Sequence, residues 1–315
     1  MESIAVYSDS AIGEKKYVLK ALAEGAEKFF PYKCNIMWVE GRQHVSADLA
    51  VIFGYWLPYG TNTGKSQFRL AIAEMTEKER GKIMFIDSDP LKGMTHGEDP
   101  LDRAKAHYRL PLNSIYHDEA EFYNKNSPPD RWQELIKRRG LIIKPYRKKG
   151  SQKKYIVLFT QKNNNESWSM RGKDYLKWAN EAIADIRKYS KREIVIRSHP
   201  KVSINRDMFS DPINKFRTVK AQSESMEETM RNAWAAVAYS SSAAIGAVIN
   251  GIPVFACSPS NPAWWVADHN LKYIEDPQQY GTTQWFNDLA YSMWTMEEMA
   301  NGTFWAHFMR GYKNG

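Results

Sequence analysis

The sequence predicts an α/β fold made of two Rossmann-like units, and three observations predict it. Apolar runs of four to six residues alternate with segments of helical spacing along most of the chain. The runs are apolar at successive positions, not at every second one, which is the pattern of parallel strands covered on both faces. The length, 315 residues, suits two domains at roughly 100–200 residues each.

The first run, Ile4-Ala5-Val6-Tyr7, stops at Ser8-Asp9-Ser10. Residues 14–30 put Val18, Leu22, Ala26 and Phe29 on one helical face, and Pro31 ends that helix. Residues 34–39 and 49–53 read as the second and third strands. A helix over 66–80 aligns Phe68, Ile72 and Met75 and closes at Gly81. The fourth strand, 83–86, leads into Asp87-Ser88-Asp89-Pro90. Residues 91–130 follow neither period and read as loops and short helices. A second series opens near Lys153, with strands at 155–160, 193–196, 216–219, 235–238 and 253–256. Helices at 174–189, 226–232 and 243–250 separate them, and Gly251 closes the last. Residues 283–308 read as helical and rich in aromatics. The expected organisation is a domain over 1–150, a second over 151–284, and helices over 285–315 packing back on the domains.

Composition narrows the function classes. Hydrophobic residues make up 43% and charged residues 25%, which excludes a disordered chain. No apolar run approaches the roughly 18–20 residues of a membrane span. Met1-Glu2-Ser3-Ile4 enters a strand with no basic leader, so a cytoplasmic location is expected. Two distant cysteines, Cys34 and Cys257, exclude a disulfide framework and argue against structural zinc. Lys and Arg number 44 against 36 acids, a net charge of +8. A basic surface favours polyanions: nucleic acid, anionic lipid or phosphorylated substrates. The eleven Trp and seventeen Tyr fill cores, and such rings also stack on sugars and bases.

Two motifs of the second series carry chemistry. A buried strand runs into Tyr239-Ser240-Ser241-Ser242, and a helix of small residues starts there. A helix start offers N–H groups and a positive dipole end, and three hydroxyls beside it suit a phosphate. A single serine would be explained as a helix cap. The second motif is Arg197-Ser198-His199-Pro200, also after a buried strand, about 40 residues before the serines. Both then lie on the carboxyl rim of one parallel sheet, where ligands bind.

With these motifs, residues 153–280 resemble the donor-binding domain of two-domain (GT-B) glycosyltransferases. They are most similar to the capsule polysaccharide and CDP-glycerol glycerophosphotransferase type. The matching residues are His199-Pro200, Ser240-Ser241-Ser242 and Gly251-Ile252-Pro253-Val254. The resemblance implies two Rossmann-like domains facing a cleft and a nucleotide-sugar donor, with UDP or another pyrimidine nucleotide expected. It implies that His199, Ser240, Ser241 and Ser242 hold the donor phosphates, with Arg197 balancing their charge. Asp268, His269 and Glu275 are expected near the donor sugar. The glycerophosphotransferases carry Thr-Asp before the serines, whereas Ala238-Tyr239 stands here, which favours a nucleotide sugar over a polyol-phosphate donor.

In that architecture the first domain binds the acceptor and supplies a base. Asp9, Asp89 and His96 are the candidates, with Asp87 at the same strand end. Helix capping by Asp9 stays open beside that role. Metal is not expected to be required, because helix dipole and side chains can stabilise the leaving group. Asp87-Ser88-Asp89 also matches the metal-binding Asp-x-Asp of single-domain glycosyltransferases. Gly60-Thr61-Asn62-Thr63-Gly64-Lys65-Ser66 approaches a P-loop but has three residues between its glycines where the motif needs four.

The nine cations Lys137, Arg138, Arg139, Lys144, Arg147, Lys148, Lys149, Lys153 and Lys154 fall within 18 residues free of acids. They read either as a solvated linker or as a polyanion contact. By fold-level analogy with small glycosyltransferases of bacterial viruses, the expected acceptor is a hydroxymethylated base in double-stranded DNA. Arg138, Arg139, Lys144, Arg147, Lys148 and Lys149 would then bind its phosphates. Transfer to a surface polysaccharide is the alternative. A nucleotide kinase and a non-enzymatic DNA-binding protein are the remaining ones.

Overall fold

Each of the two sheets grows outward from the first strand of its series, as the apolar runs require. The computed structural model describes residues 1–56, 64–91, 106–148, 152–161 and 173–314. They divide into a first unit drawn from Met1–Trp56, Thr61–Leu141 and Phe286–Gly315, and a second drawn from Ile142–Trp285.

In the first unit, β1 (Ser3–Tyr7) leads through a 3-10 turn at Ser8–Ser10 into α1 (Lys15–Phe29). Val18, Leu19, Leu22 and Ala26 form its buried stripe, each at most 1% exposed. Next come β2 (Asn35–Val39), β3 (Leu49–Phe53), α2 (Gly64–Lys78), β4 (Lys82–Ser88), β5 (His107–Arg109) and α3 (Asp130–Arg139). With β11 (Met293–Thr295) from the tail, the strand order is β11-β5-β4-β3-β1-β2. It is parallel from β4 to β2, whereas β5 and β11 pair antiparallel.

The second unit contains β6 (Tyr155–Phe159), α4 (Tyr175–Tyr189), β7 (Glu193–Arg197), β8 (Phe216–Val219), α5 (Met226–Arg231), β9 (Ala233–Ala238), α6 (Ala243–Ile249) and β10 (Val254–Ala256). All its strands are parallel, in the order β10-β9-β6-β7-β8. Asp174 caps α4 by accepting from the Leu176 and Lys177 N–H groups, and Ser225 and Glu228 close a capping box on α5.

The tail departs from the helix expected over 283–308. It is α7 (Thr283–Ala290), β11, α8 (Met296–Ala300) and α9 (Thr303–Asn314), and from Phe286 on it belongs to the first unit. Trp305 buries its ring completely there and donates its indole N–H to the Leu22 carbonyl at 2.9 Å. In the second core, fully packed Trp234 donates to the Ile274 carbonyl at 2.7 Å. No helix among the described residues is long and apolar enough to cross a membrane.

Candidate functional site

Numbered within its own unit, the second sheet reads 3-2-1-4-5, the doubly wound Rossmann order. The order of strand addition reverses between β6 and β9, the switch point at whose carboxyl ends ligands bind in such sheets. Thr160 and Gln161 follow β6, His199 follows β7, and Ser240 to Ser242 follow β9. The Thr160 hydroxyl donates to the Arg197 carbonyl at 3.3 Å and accepts from the His199 N–H at 3.3 Å, which fixes the turn carrying the imidazole. His199 is half-buried, and its Nδ1 accepts from the Lys201 N–H at 3.1 Å. In the neutral ring the proton is therefore on Nε2, which becomes a donor.

The N–H groups expected to be free at the serine turn are engaged. With the Gln161 amide turned to match the donors that face it, its oxygen accepts from Ser241 N–H at 2.8 Å and from Ser240 N–H at 3.2 Å. Ser241 Oγ accepts from Ala243 N–H at 3.3 Å. Ser242 is exposed, sits at the N-cap of α6 and makes no side-chain cap bond. The turn is pinned from below by Asn261, fully buried, which donates to the Tyr239 carbonyl at 3.0 Å. Asn261 belongs to the proline-rich loop before the paired tryptophans. Trp264 of that loop stacks on His269 at 3.4 Å, whereas Trp265 is 75% exposed.

Two expected donor contacts lie elsewhere. Arg197 is 4% exposed and turns to α5, donating to Thr229 Oγ1 at 2.5 Å. Burial lowers its pKa, and Glu224 and Glu228 partly offset that. Glu275 is at the amino edge of the sheet, paired with Arg192 at 3.0 Å just ahead of β7, and it accepts from Ser190. The length of a strand separates it from His199, so it does not join the serines. Asp268 runs beside β10, where its carboxylate accepts from Gln278 N–H at 3.0 Å and Tyr280 O–H at 3.2 Å.

The parallel strands of the first sheet read 2-1-3-4, so the order of strand addition reverses between β1 and β3. Ser10 joins these two strand ends, donating to the Tyr7 carbonyl at 2.6 Å and accepting from Phe53 N–H at 2.8 Å. Asp9 stands at this edge and caps no helix. Lys16 at 2.8 Å and the Gly41 N–H at 2.9 Å hold its carboxyl below the usual range. Asp89 is instead ion-paired to Arg139, and Asp87 to Arg109 at 2.6 Å. Neither carboxylate is left for the Asp-x-Asp role, since each faces a buried guanidinium. Lys65 of the P-loop-like segment donates to the Ala11 carbonyl at 2.9 Å. His96 and Lys149 lie outside the described residues, as do residues 57–63.

The basic run is divided between the two units. Arg138 and Arg139 belong to the first unit, and Lys144, Arg147 and Lys148 to the second. Arg139, 2% exposed, cannot meet a polyanion, because it bridges Asp89 and His107. Arg147 donates to the Met230 carbonyl at 2.8 Å, and burial lowers its pKa to about 10. Arg138, Lys144 and Lys148 are exposed. Gln161, Thr160, Lys65 and Arg69 were missed as edge residues. The signal for the first two was their place after the strand that opens the second series.

No family model and no curated protein sequence matches the chain. A solved structure of Thermosulfurimonas dismutans KpsC, beta Kdo 2,4 transferase, is similar over 91% of this chain and 89% of its own. Sequence identity is 13% and the TM-score is 0.52. The fold is of the GT-B type. The KpsC beta Kdo 2,7 transferase of the same organism is similar over 100% of both chains, at 13% identity and TM-score 0.49. The glycosyltransferase SnogD from Streptomyces nogalater covers 94% of this chain and 79% of its own, at 9% identity and TM-score 0.30. The GT-B assignment agrees with two units built on largely parallel sheets.

Proposed function

We propose that the chain is a glycosyltransferase that takes a sugar from a pyrimidine-nucleotide donor. Supporting this above all is the 3-2-1-4-5 sheet whose reversal point carries Gln161, Ser240 and Ser241, with His199 on the adjacent strand end. The donor phosphates take the place of the Gln161 oxygen as acceptors for the two N–H groups. The hydroxyls of Ser240 to Ser242 and the His199 Nε2–H add donors. Seven residues of α6 give a weak dipole, so hydroxyls and imidazole carry most of the stabilisation.

The first unit, which ends at Leu141 and resumes with the tail from Phe286, receives the acceptor. Asp9 is the base: it takes the hydroxyl proton as the acceptor oxygen bonds to the anomeric carbon. The bond from that carbon to the phosphate oxygen breaks, and the nucleotide leaves with the electron pair. The acceptor in this reading is a surface glycan: of the six cations that a DNA acceptor was expected to meet, Arg139 is buried and Arg147 is bonded to the Met230 carbonyl.

Thermal melts with UDP, CMP, CDP and GDP, each with and without magnesium, test this. At about 100 times its dissociation constant the correct nucleotide stabilises by about 2.7 kcal/mol, a shift of a few degrees. The shift is expected without magnesium, and it should disappear in His199→Ala. No shift with any nucleotide refutes the reading, and a shift kept in His199→Ala removes the imidazole from the site.

A further inference from the structure

Two helices of the first unit begin with charges that oppose their dipoles. A helix start carries about half a positive charge and normally takes Asp or Glu in its first turn. The first turns of α1 and α2 contain no acid; Glu14 stands at the N-cap of α1, Lys15 and Lys16 open its first turn, and Lys65 follows Gly64 at the start of α2. Both starts converge on the ends of β1 and β3. Lys15 Nζ lies 5.2 Å above the Phe53 ring. Lys16 pairs with Asp9, and Lys65 donates to the Ala11 carbonyl. Arg69 holds the Ser10 and Tyr55 carbonyls. The Arg42 guanidinium packs against Gly64, and its neighbour Gly41 donates to Asp9.

The carboxylate bonded within this group is Asp9, with Glu14 and Glu40 at its border. At Lys65 the pKa falls through burial and then through Arg69, with Asp9 opposing and Lys16 and Arg42 adding to the fall. Arg69 is committed to main-chain carbonyls. Lys65 uses one of its three donors on Ala11, while Lys16 and Arg42 reach solvent. A strand edge that gathers cations against two helix dipoles is relieved by a bound anion.

We propose that this edge of the first unit is an oxyanion site, and that the acceptor carries a phosphate or carboxylate which Lys16, Arg42 and Lys65 hold beside Asp9. The acceptor half of this statement rests on the glycosyltransferase reading above; the anion site does not. Such a site fixes one end of the acceptor, so that a hydroxyl of the same molecule meets the Asp9 carboxylate.

The test is calorimetric titration of the full chain, at low salt, with glucose 1-phosphate, glucuronate and glucose. At least one of the two anions is expected to bind tenfold or more tightly than glucose, and the one that does identifies the oxyanion. Added salt should weaken it, since these side chains are partly exposed. Arg42→Gln, on the surface, and Lys65→Gln should each reduce that affinity at least fivefold. Melting temperature and nucleotide affinity should stay as in the parent chain. If neither anion exceeds glucose, or if His199→Ala abolishes the binding while Lys65→Gln leaves it intact, the proposal falls. Anion binding without nucleotide binding would overturn the transferase reading and keep the site; nucleotide binding without anion binding would do the reverse.

Discussion

Gln161 is 5% exposed and presents a neutral oxygen to two main-chain N–H groups at the reversal point of the second sheet. An unliganded turn would otherwise leave those donors unsatisfied, at about 1–3 kcal/mol each if buried. Donor binding then exchanges one acceptor for another. Gln161→Glu keeps the shape and adds a fixed negative charge at that point. Nucleotide affinity, measured by calorimetry, is expected to fall at least tenfold while the melting temperature holds; equal affinity would place the phosphates elsewhere. At the same scale, Arg138 and Arg139 look alike in a basic run yet have opposite fates. Trp132, Leu135 and Arg139 are the buried residues of α3, at the spacing of one helical face. That stripe was the available sign that Arg139 points inward. Its ion-pair partner Asp89, fifty residues away, left no local trace.

Among the elements, strands covered on both faces were readable because burial alone selects their residues: β1, β3, β4, β6, β7, β8 and β9 fall within a few residues of the apolar runs. β5 and β11 were not. Each has three residues, pairs antiparallel with a distant partner, and is shorter than the run of at least four residues over which either pattern shows. β11 lies in a stretch whose aromatics read as helical. The same limit applied to the site: His199 and the serines follow strong strands, whereas Arg197 and Glu275 were assigned by neighbourhood in the chain, and their side chains took partners from other elements. One contact between elements gives a test. A Cβ on Gly25 of α1 would lie 1.7 Å from the Met299 carbonyl oxygen of α8. Alanine adds up to about 1 kcal/mol of helix propensity, but main-chain atoms cannot yield that distance. Gly25→Ala is therefore expected to destabilise the first unit by about 1–3 kcal/mol or more, read by urea denaturation. A neutral or stabilising result would show that α8 can move away from α1.

At the scale of the molecule the two units differ in their buried histidines. His107 is held neutral by burial and then by Arg139, which lower its pKa to about 3; burial lowers His307 to about 4. His117, buried beside Arg109, is also held well below its ordinary value. All three are in the first unit, while the second contains only His199 and His269, half-buried and exposed. In the unfolded chain each titrates near 6.5. As pH falls below that value the unfolded chain binds protons that the folded unit refuses. Stability is full above 6.5 and drops by up to about 1.4 kcal/mol per pH unit and per group, until the folded pKa is reached. Carboxylates held low, such as Asp9 and Glu298, add their loss only below about 4.5, so histidine dominates from 6.5 down to 5. At pH 5 His107 alone then costs about 2 kcal/mol, against a total stability of about 5–15 kcal/mol. Hydrogen exchange of the full chain, corrected for intrinsic rates, should show β3 and β4 losing protection between pH 7.5 and 5 before β6 and β9 do. Loss in the opposite order would contradict the assignment. In His107→Gln, which has no proton to take up, the drop in the first unit should shrink by about 2 kcal/mol; an undiminished drop would mean that His107 is not a group the acid acts on.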